Sequence, residues 1–78
     1  MNQQNIDTLI QNLFLDFNNK EYQKVIDSSL KLIEQNYRIT VIFNLLGTSY
    51  YLLKKYEKAL NYYYEGINLD PDNDEINR

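Results

Sequence analysis

The sequence predicts an all-α chain of two antiparallel helix-turn-helix hairpins. Three observations carry that expectation: apolar residues recur at the helical period in four successive segments, the connections between them are only a few residues long, and one short motif recurs after 34 residues. No segment shows the alternation of a strand, and connections this short oblige consecutive helices to lie side by side.

In the first segment, Ile6, Leu9, Ile10, Leu13, Phe14 and Phe17 follow the i, i+3, i+4, i+7 spacing of one helix face, with Asp7, Gln11, Asn12 and Asp16 interleaved. This helix should end near Asn18-Asn19. A second should begin after Lys20-Glu21, with Tyr22, Val25, Ile26, Leu30 and Ile33 on one side and Gln23, Lys24, Asp27, Lys31 and Glu34 on the other, and stop about Asn36. From Thr40, a residue type that caps helix N-termini, VIFNLLGTSYYLL is apolar almost all round. A helix packed on two sides looks like this, and it should be the most buried element. After Lys54-Lys55 a fourth helix carries Tyr56, Ala59, Leu60, Tyr63 and Ile67. Asp70-Pro71 should end it, because the residue before proline is pushed out of helical φ/ψ. The tail from Asp72 to Arg78 is too short to be a stable helix alone.

The recurrence lies in KEYQKV, Lys20 to Val25, and KKYEKA, Lys54 to Ala59, whose tyrosines Tyr22 and Tyr56 are 34 residues apart. In the second copy Phe43 is followed by Leu46-Gly47 and Tyr50, then by Ala59, Tyr63 and Pro71. This spacing resembles the tetratricopeptide repeat, with Phe43 where a Trp is usual and Tyr63 where a Phe is usual. The resemblance implies a short right-handed α-solenoid. Its expected divisions are an N-terminal lead at 1–5, a degenerate first repeat at 6–39, a second repeat close to the family pattern at 40–73, and the start of a capping helix or third repeat at 74–78.

Glycine inside a helix costs about 1 kcal/mol and is expected only where two backbones come close. The two glycines, Gly47 and Gly66, both fall in helices. With Ala59 they should let the last two helices approach closely, leaving Phe43, Tyr50 and Tyr63 to fill the ridges between hairpins. Of the run Tyr62-Tyr63-Tyr64, Tyr63 is expected in the core and the outer two as surface cover, since consecutive helical residues point about 100° apart. The first copy departs from the pattern: Leu9, Leu13 and Val25 are larger than the family prefers, Asn12 replaces a core Leu, Asp16 a Tyr and Tyr37 the terminal Pro. A wider crossing of its helices is the expected consequence.

Composition excludes most other functions. With no Cys and no His, thiolate and imidazole chemistry are gone, and no cofactor is called for. The carboxylates Asp16, Glu21 and Asp27 spread over a helix end, a loop and another helix, without a phosphate loop or nucleophile elbow, so catalysis is not expected. The net charge of −3, with no basic cluster beyond Lys54-Lys55, gives no footprint for nucleic acid. No stretch reaches the ~18 apolar residues of a membrane span, and the lack of a basic, then apolar, leader at the N-terminus points to the cytoplasm.

The expected function is therefore to hold another protein. The resemblance implies that the first helix of each hairpin lines a concave groove for a peptide or helical segment, and the matching positions are Asp7, Ile10, Phe14, Phe17, Val41, Asn44, Thr48 and Tyr51. Asn44 and Thr48, polar amid apolar neighbours, are expected to seek water or a ligand backbone. The carboxylate clamp of chaperone-binding relatives is missing: Ile10, Phe14 and Leu45 stand at its Lys and Asn places, and Glu75 has the wrong sign for a later Lys. Acidic chaperone tails should not bind. Two hairpins are fewer than the three that such repeats generally need to bury a continuous core. Self-association is accordingly expected ahead of a partner-stapled or free monomer, through Leu53, Leu60 and Tyr64. The alternative is a structural part of a longer array with no ligand of its own.

Overall fold

The computed structural model describes residues 5–69, and they form four α-helices: α1 (Ile6–Asn18), α2 (Tyr22–Glu34), α3 (Thr40–Leu52) and α4 (Tyr56–Leu69). No strand occurs among them. The chain is all-α, as expected, with α1 and α2 as one hairpin and α3 and α4 as the next. The stop expected at Asp70-Pro71, the capping segment at 74–78 and Glu75 lie outside the described residues.

The three turns between helices close in the same way. Lys20, Asn36 and Lys54 take the left-handed conformation, with φ of 65°, 75° and 68°. Each is followed by an amide that reaches back to a carbonyl in the preceding helix, Glu21 to Asp16, Tyr37 to Leu32 and Lys55 to Tyr50, at 2.8 to 3.0 Å. Their own amides bond Phe17, Ile33 and Tyr51 at 2.9 Å. These are Schellman closures built without glycine, which normally takes the left-handed place. Lys20 and Lys54 stand 34 residues apart, so the repeat extends to backbone geometry. It extends to packing too: Phe17 meets Tyr22 edge to face at 5.5 Å and 63°, and Tyr51 meets Tyr56 at 5.4 Å and 62°.

At the N-termini, Asn5 caps α1 through its side chain, accepting from the Asp7 amide at 3.0 Å. Thr40 does not cap α3. The cap position belongs to Ile39, extended at φ −115° and ψ 134°, which has no capping side chain and instead packs against the core beside Ile42 and Leu45. Burial of that side chain stands in place of the lost cap bond.

The core has two connected parts. Leu13, Val25, Leu32, Ile42 and Leu45 join the first hairpin to α3, and Ile26, Leu46, Tyr50 and Ala59 join α2 to the second hairpin. The helix α3 touches all three others and has the most buried residues, matching its all-round apolar sequence.

The apolar residues of α4 divide between two sides of the helix. Tyr56, Leu60 and Ile67 are exposed, and the inward residues are Ala59, Tyr62, Tyr63 and Gly66. Gly66 explains which side packs. A Cβ there would stand 3.0 Å from Phe43 Cβ, so α3 and α4 are in closest approach along the Gly66 edge, and the helix turns that edge inward. Tyr62, expected as surface cover, lies half-buried and stacks on Tyr50 at 5.7 Å with an 8° interplanar angle. Phe43 and Tyr63 pack against Gly66 and Gly47 within the second hairpin, and Tyr63 also lies against the cluster that holds Ile26 of the first. Tyr50 does bridge the hairpins, beside Ile26.

The first hairpin meets its lack of glycine by trading bulk. Counting back 34 residues, Leu13 stands at the place of Gly47 and Ser29 at that of Tyr63. Leu13 is 1% and Ser29 0% exposed. Where the second hairpin sets a ring on α4 against a bare α3, the first sets a large side chain on α1 and a small one on α2. Asn12 and Asp16, which replace a core Leu and Tyr, lie on the outer side of α1, away from full burial.

Candidate functional site

The eight expected groove residues form four pairs at the 34-residue spacing: Asp7 with Val41, Ile10 with Asn44, Phe14 with Thr48, and Phe17 with Tyr51. Each set of four falls within a sector of about 80° of its helix, at about 100° per residue. They hold equivalent places on α1 and α3.

Their surroundings differ. Ile10, Phe17 and Val41 are partly buried against the first core cluster, while Asp7, Phe14, Asn44 and Tyr51 are exposed. Phe17 and Tyr51 also brace the hairpin corners through Tyr22 and Tyr56. The α1 half of the face is apolar, with Phe14 its most open ring at 42% exposure. The α3 half is mixed, with Asn44 and Thr48 between Val41 and an exposed Tyr51.

The Thr48 hydroxyl does not wait for a ligand, as the sequence suggested. It pairs with the Tyr63 hydroxyl at 2.7 Å. Tyr63, expected only as core, therefore contributes a polar group to this face by reaching across from α4. The legible signal was a Tyr where the repeat usually has Phe, since a half-buried phenol needs a partner for its hydroxyl. Two hydroxyls sharing one hydrogen bond retain one O–H and several lone pairs for a further partner. Asn44 is exposed one turn earlier on α3, with its Oδ1 3.8 Å from where a Cβ on Gly66 would stand. Asn44, Thr48 and Tyr63 thus line the seam between α3 and α4.

Apart from Asp7, the charges lie beside this face rather than in it. Arg38 reaches from the α2–α3 turn to Glu65 at 3.5 Å and covers the Phe43 ring at 5.4 Å. Both ends of that ion pair are about half exposed, so it contributes little to stability. Lys24 and Asp16 make a looser pair at 3.9 Å. Burial, followed by the neighbouring Tyr62 and Asp27, pushes the Tyr50 phenol above its ordinary pKa. No group of three or more metal-ligating side chains occurs among the described residues, and no helix among them is long and apolar enough to cross a membrane.

The residues of the expected self-association face are all exposed: Leu53 at 37%, Leu60 at 53% and Tyr64 at 60%. Leu60 and Tyr64 are neighbours one turn apart on α4, whereas Leu53 lies at the C-terminal cap of α3.

No curated protein and no solved structure matches the chain. The profile of the tetratricopeptide repeat family matches residues 41–73, which begin one residue inside α3 and run past the end of α4. That family is a non-catalytic repeat that mediates protein–protein interaction. Residues 41–73 are thus similar to a tetratricopeptide repeat, and the four helices of the chain are consistent with tetratricopeptide-like repeats.

Proposed function

We propose that the chain is a cytoplasmic protein-interaction module, without catalytic activity of its own, that holds a peptide or helical segment of a partner across α1 and α3. The observation that carries this reading is the pairing of apolar Ile10, Phe14 and Phe17 on α1 with the hydrogen-bonding groups of Asn44, Thr48 and Tyr63 along α3. A segment with an apolar anchor at one end and free backbone or amide groups at the other matches both. Acidic tails held by a terminal carboxylate do not fit, because no Lys lies among the expected groove residues.

Selection of a random peptide library on the immobilised chain tests this. Peptides enriched on the wild type should carry an aromatic or aliphatic anchor, and lose at least tenfold in affinity when Phe14→Glu or Asn44→Ala is introduced. Binding that survives both substitutions would place the contact elsewhere.

A second reading, self-association, is favoured by the exposure of Leu60 and Tyr64 on a helix whose opposite side is packed. It uses a different face, so the two readings are separable.

A further inference from the structure

The 34-residue register shows how the two outer faces of the hairpin pair differ. On α2, Tyr22, Ile26, Leu30 and Ile33 form one stripe, and the second hairpin covers its last three residues: Ile26 is 2% exposed and lies with Leu46, Tyr50 and Ala59, with Leu30 and Ile33 against them. The same places on α4 are Tyr56, Leu60, Tyr64 and Ile67, each more than half exposed. The other end of the molecule has the opposite character. Ile42, Leu45, Leu46 and Tyr50 of α3 are buried, but their counterparts on α1 are Thr8, Gln11, Asn12 and Asp16, all polar and the first three exposed. One outer face is built to meet water and the other to meet apolar surface.

We infer that α4 is the contact face of a two-fold dimer, in which Tyr56, Leu60, Tyr64 and Ile67 pack antiparallel on the same residues of a second copy. This rests on the self-association reading and gives it a geometry. Head-to-tail stacking of copies would press the apolar α4 stripe onto the polar α1 face and desolvate Gln11 and Asn12 without partners. Of the two outer faces, only that of α4 is complementary to itself, and self-complementarity is what a closed two-fold interface requires.

Charge selects the direction of pairing. The start of α4 is basic on balance, with Lys54, Lys55 and Lys58 against Glu57, and its later half carries Glu65. Antiparallel helices set unlike charges at both ends of the seam, whereas parallel ones set like against like. In the antiparallel pairing Leu60 opposes Tyr64 of the second copy, and Tyr56 opposes Ile67. A seam about 16 Å long buries less than the ~800 Å² per partner of a standard interface, so dissociation constants on the order of 10 µM are expected.

Sedimentation equilibrium of the full chain between about 1 and 500 µM, spanning that constant, provides the test. The expected result is a monomer–dimer equilibrium that closes at the dimer and weakens with salt. Leu60→Glu and Tyr64→Lys should each weaken it at least tenfold while leaving helicity by circular dichroism unchanged. An equimolar mixture of the two variants should recover dimer, because the glutamate introduced in one copy then faces the lysine introduced in the other. Leu15→Glu, on the exposed α1 surface, should change nothing. Open-ended polymers, or a dimer lost with Leu15→Glu or Phe14→Glu but kept with Leu60→Glu, would overturn the α4 assignment and leave self-association standing. A monomer throughout the range would overturn both, without touching the peptide-binding reading.

Discussion

The replacement of Gly47 by Ala sets two opposed effects against each other. Removing a glycine from a helix interior is worth about 1 kcal/mol in propensity, so an exposed Gly47→Ala would stabilise the protein. Here the new Cβ would stand 2.8 Å from Tyr63 Cδ1 and Cε1 and 3.2 Å from Cζ. Comfortable carbon–carbon separations are roughly 3.5–4.0 Å, so the ring must retreat by the better part of an ångström. It has little freedom to do so. Its hydroxyl is tied to Thr48 at 2.7 Å, and its body packs against the cluster of Ile26, Leu46, Tyr50 and Ala59.

Overpacking of this kind costs about 1–3 kcal/mol, and loss of the Thr48 bond adds about 1 kcal/mol. The clash wins, with a net destabilisation of about 1–3 kcal/mol, or a fall in Tm of roughly 5–25 °C for a chain of this size. Thermal and urea melts followed by far-ultraviolet circular dichroism measure it. The decisive comparison is the same substitution in a Tyr63→Ala background, held folded with trimethylamine oxide. With the ring gone, Gly47→Ala should turn stabilising by about 1 kcal/mol, a coupling of about 2–4 kcal/mol between the two sites. A rise in Tm in the wild-type background, or an equal fall in both, would refute the close-approach account of Gly47.

Three further outcomes follow from the same structure. Lys20→Gly and Lys54→Gly should each stabilise by about 0.5 kcal/mol and add independently in urea melts, since both lysines occupy left-handed positions where a side chain is strained. Ser29→Ala and Ser49→Ala should each raise stability by about 1 kcal/mol, because these hydroxyls are fully buried without hydrogen-bond partners. Tyr50 governs part of the alkaline limit. Its phenol is raised in the folded state, so the unfolded chain gives up that proton first, near pH ~10. The contribution is intact below that pH and is lost as pH rises through the folded pKa; melts from pH ~8 to ~11 should show a shallower decline for Tyr50→Phe.

The chain's sequence by itself determined the helical spacing of all four elements, the limits of the first three and the start of the fourth to within a residue or two, and the 34-residue period. These are local properties: apolar periodicity, turn positions and the recurrence of KEYQKV as KKYEKA report on chain segments that fold back on themselves. The demand for a close approach at Gly47 and Gly66 was equally legible, because a helical glycine has a cost that packing must offset.

Only the tertiary structure decided which side of α4 turned inward. Its sequence carries two overlapping apolar faces, Ala59-Tyr62-Tyr63-Gly66 and Tyr56-Leu60-Tyr64-Ile67, that periodicity cannot rank. The choice depended on Phe43, on the preceding helix, whose Cβ meets the Gly66 edge. The same holds for the Thr48–Tyr63 bond and for the exchange of bulk between Leu13 and Ser29. Each is settled by a neighbour on another helix, and spacing along one helix contains no information about which neighbour that will be.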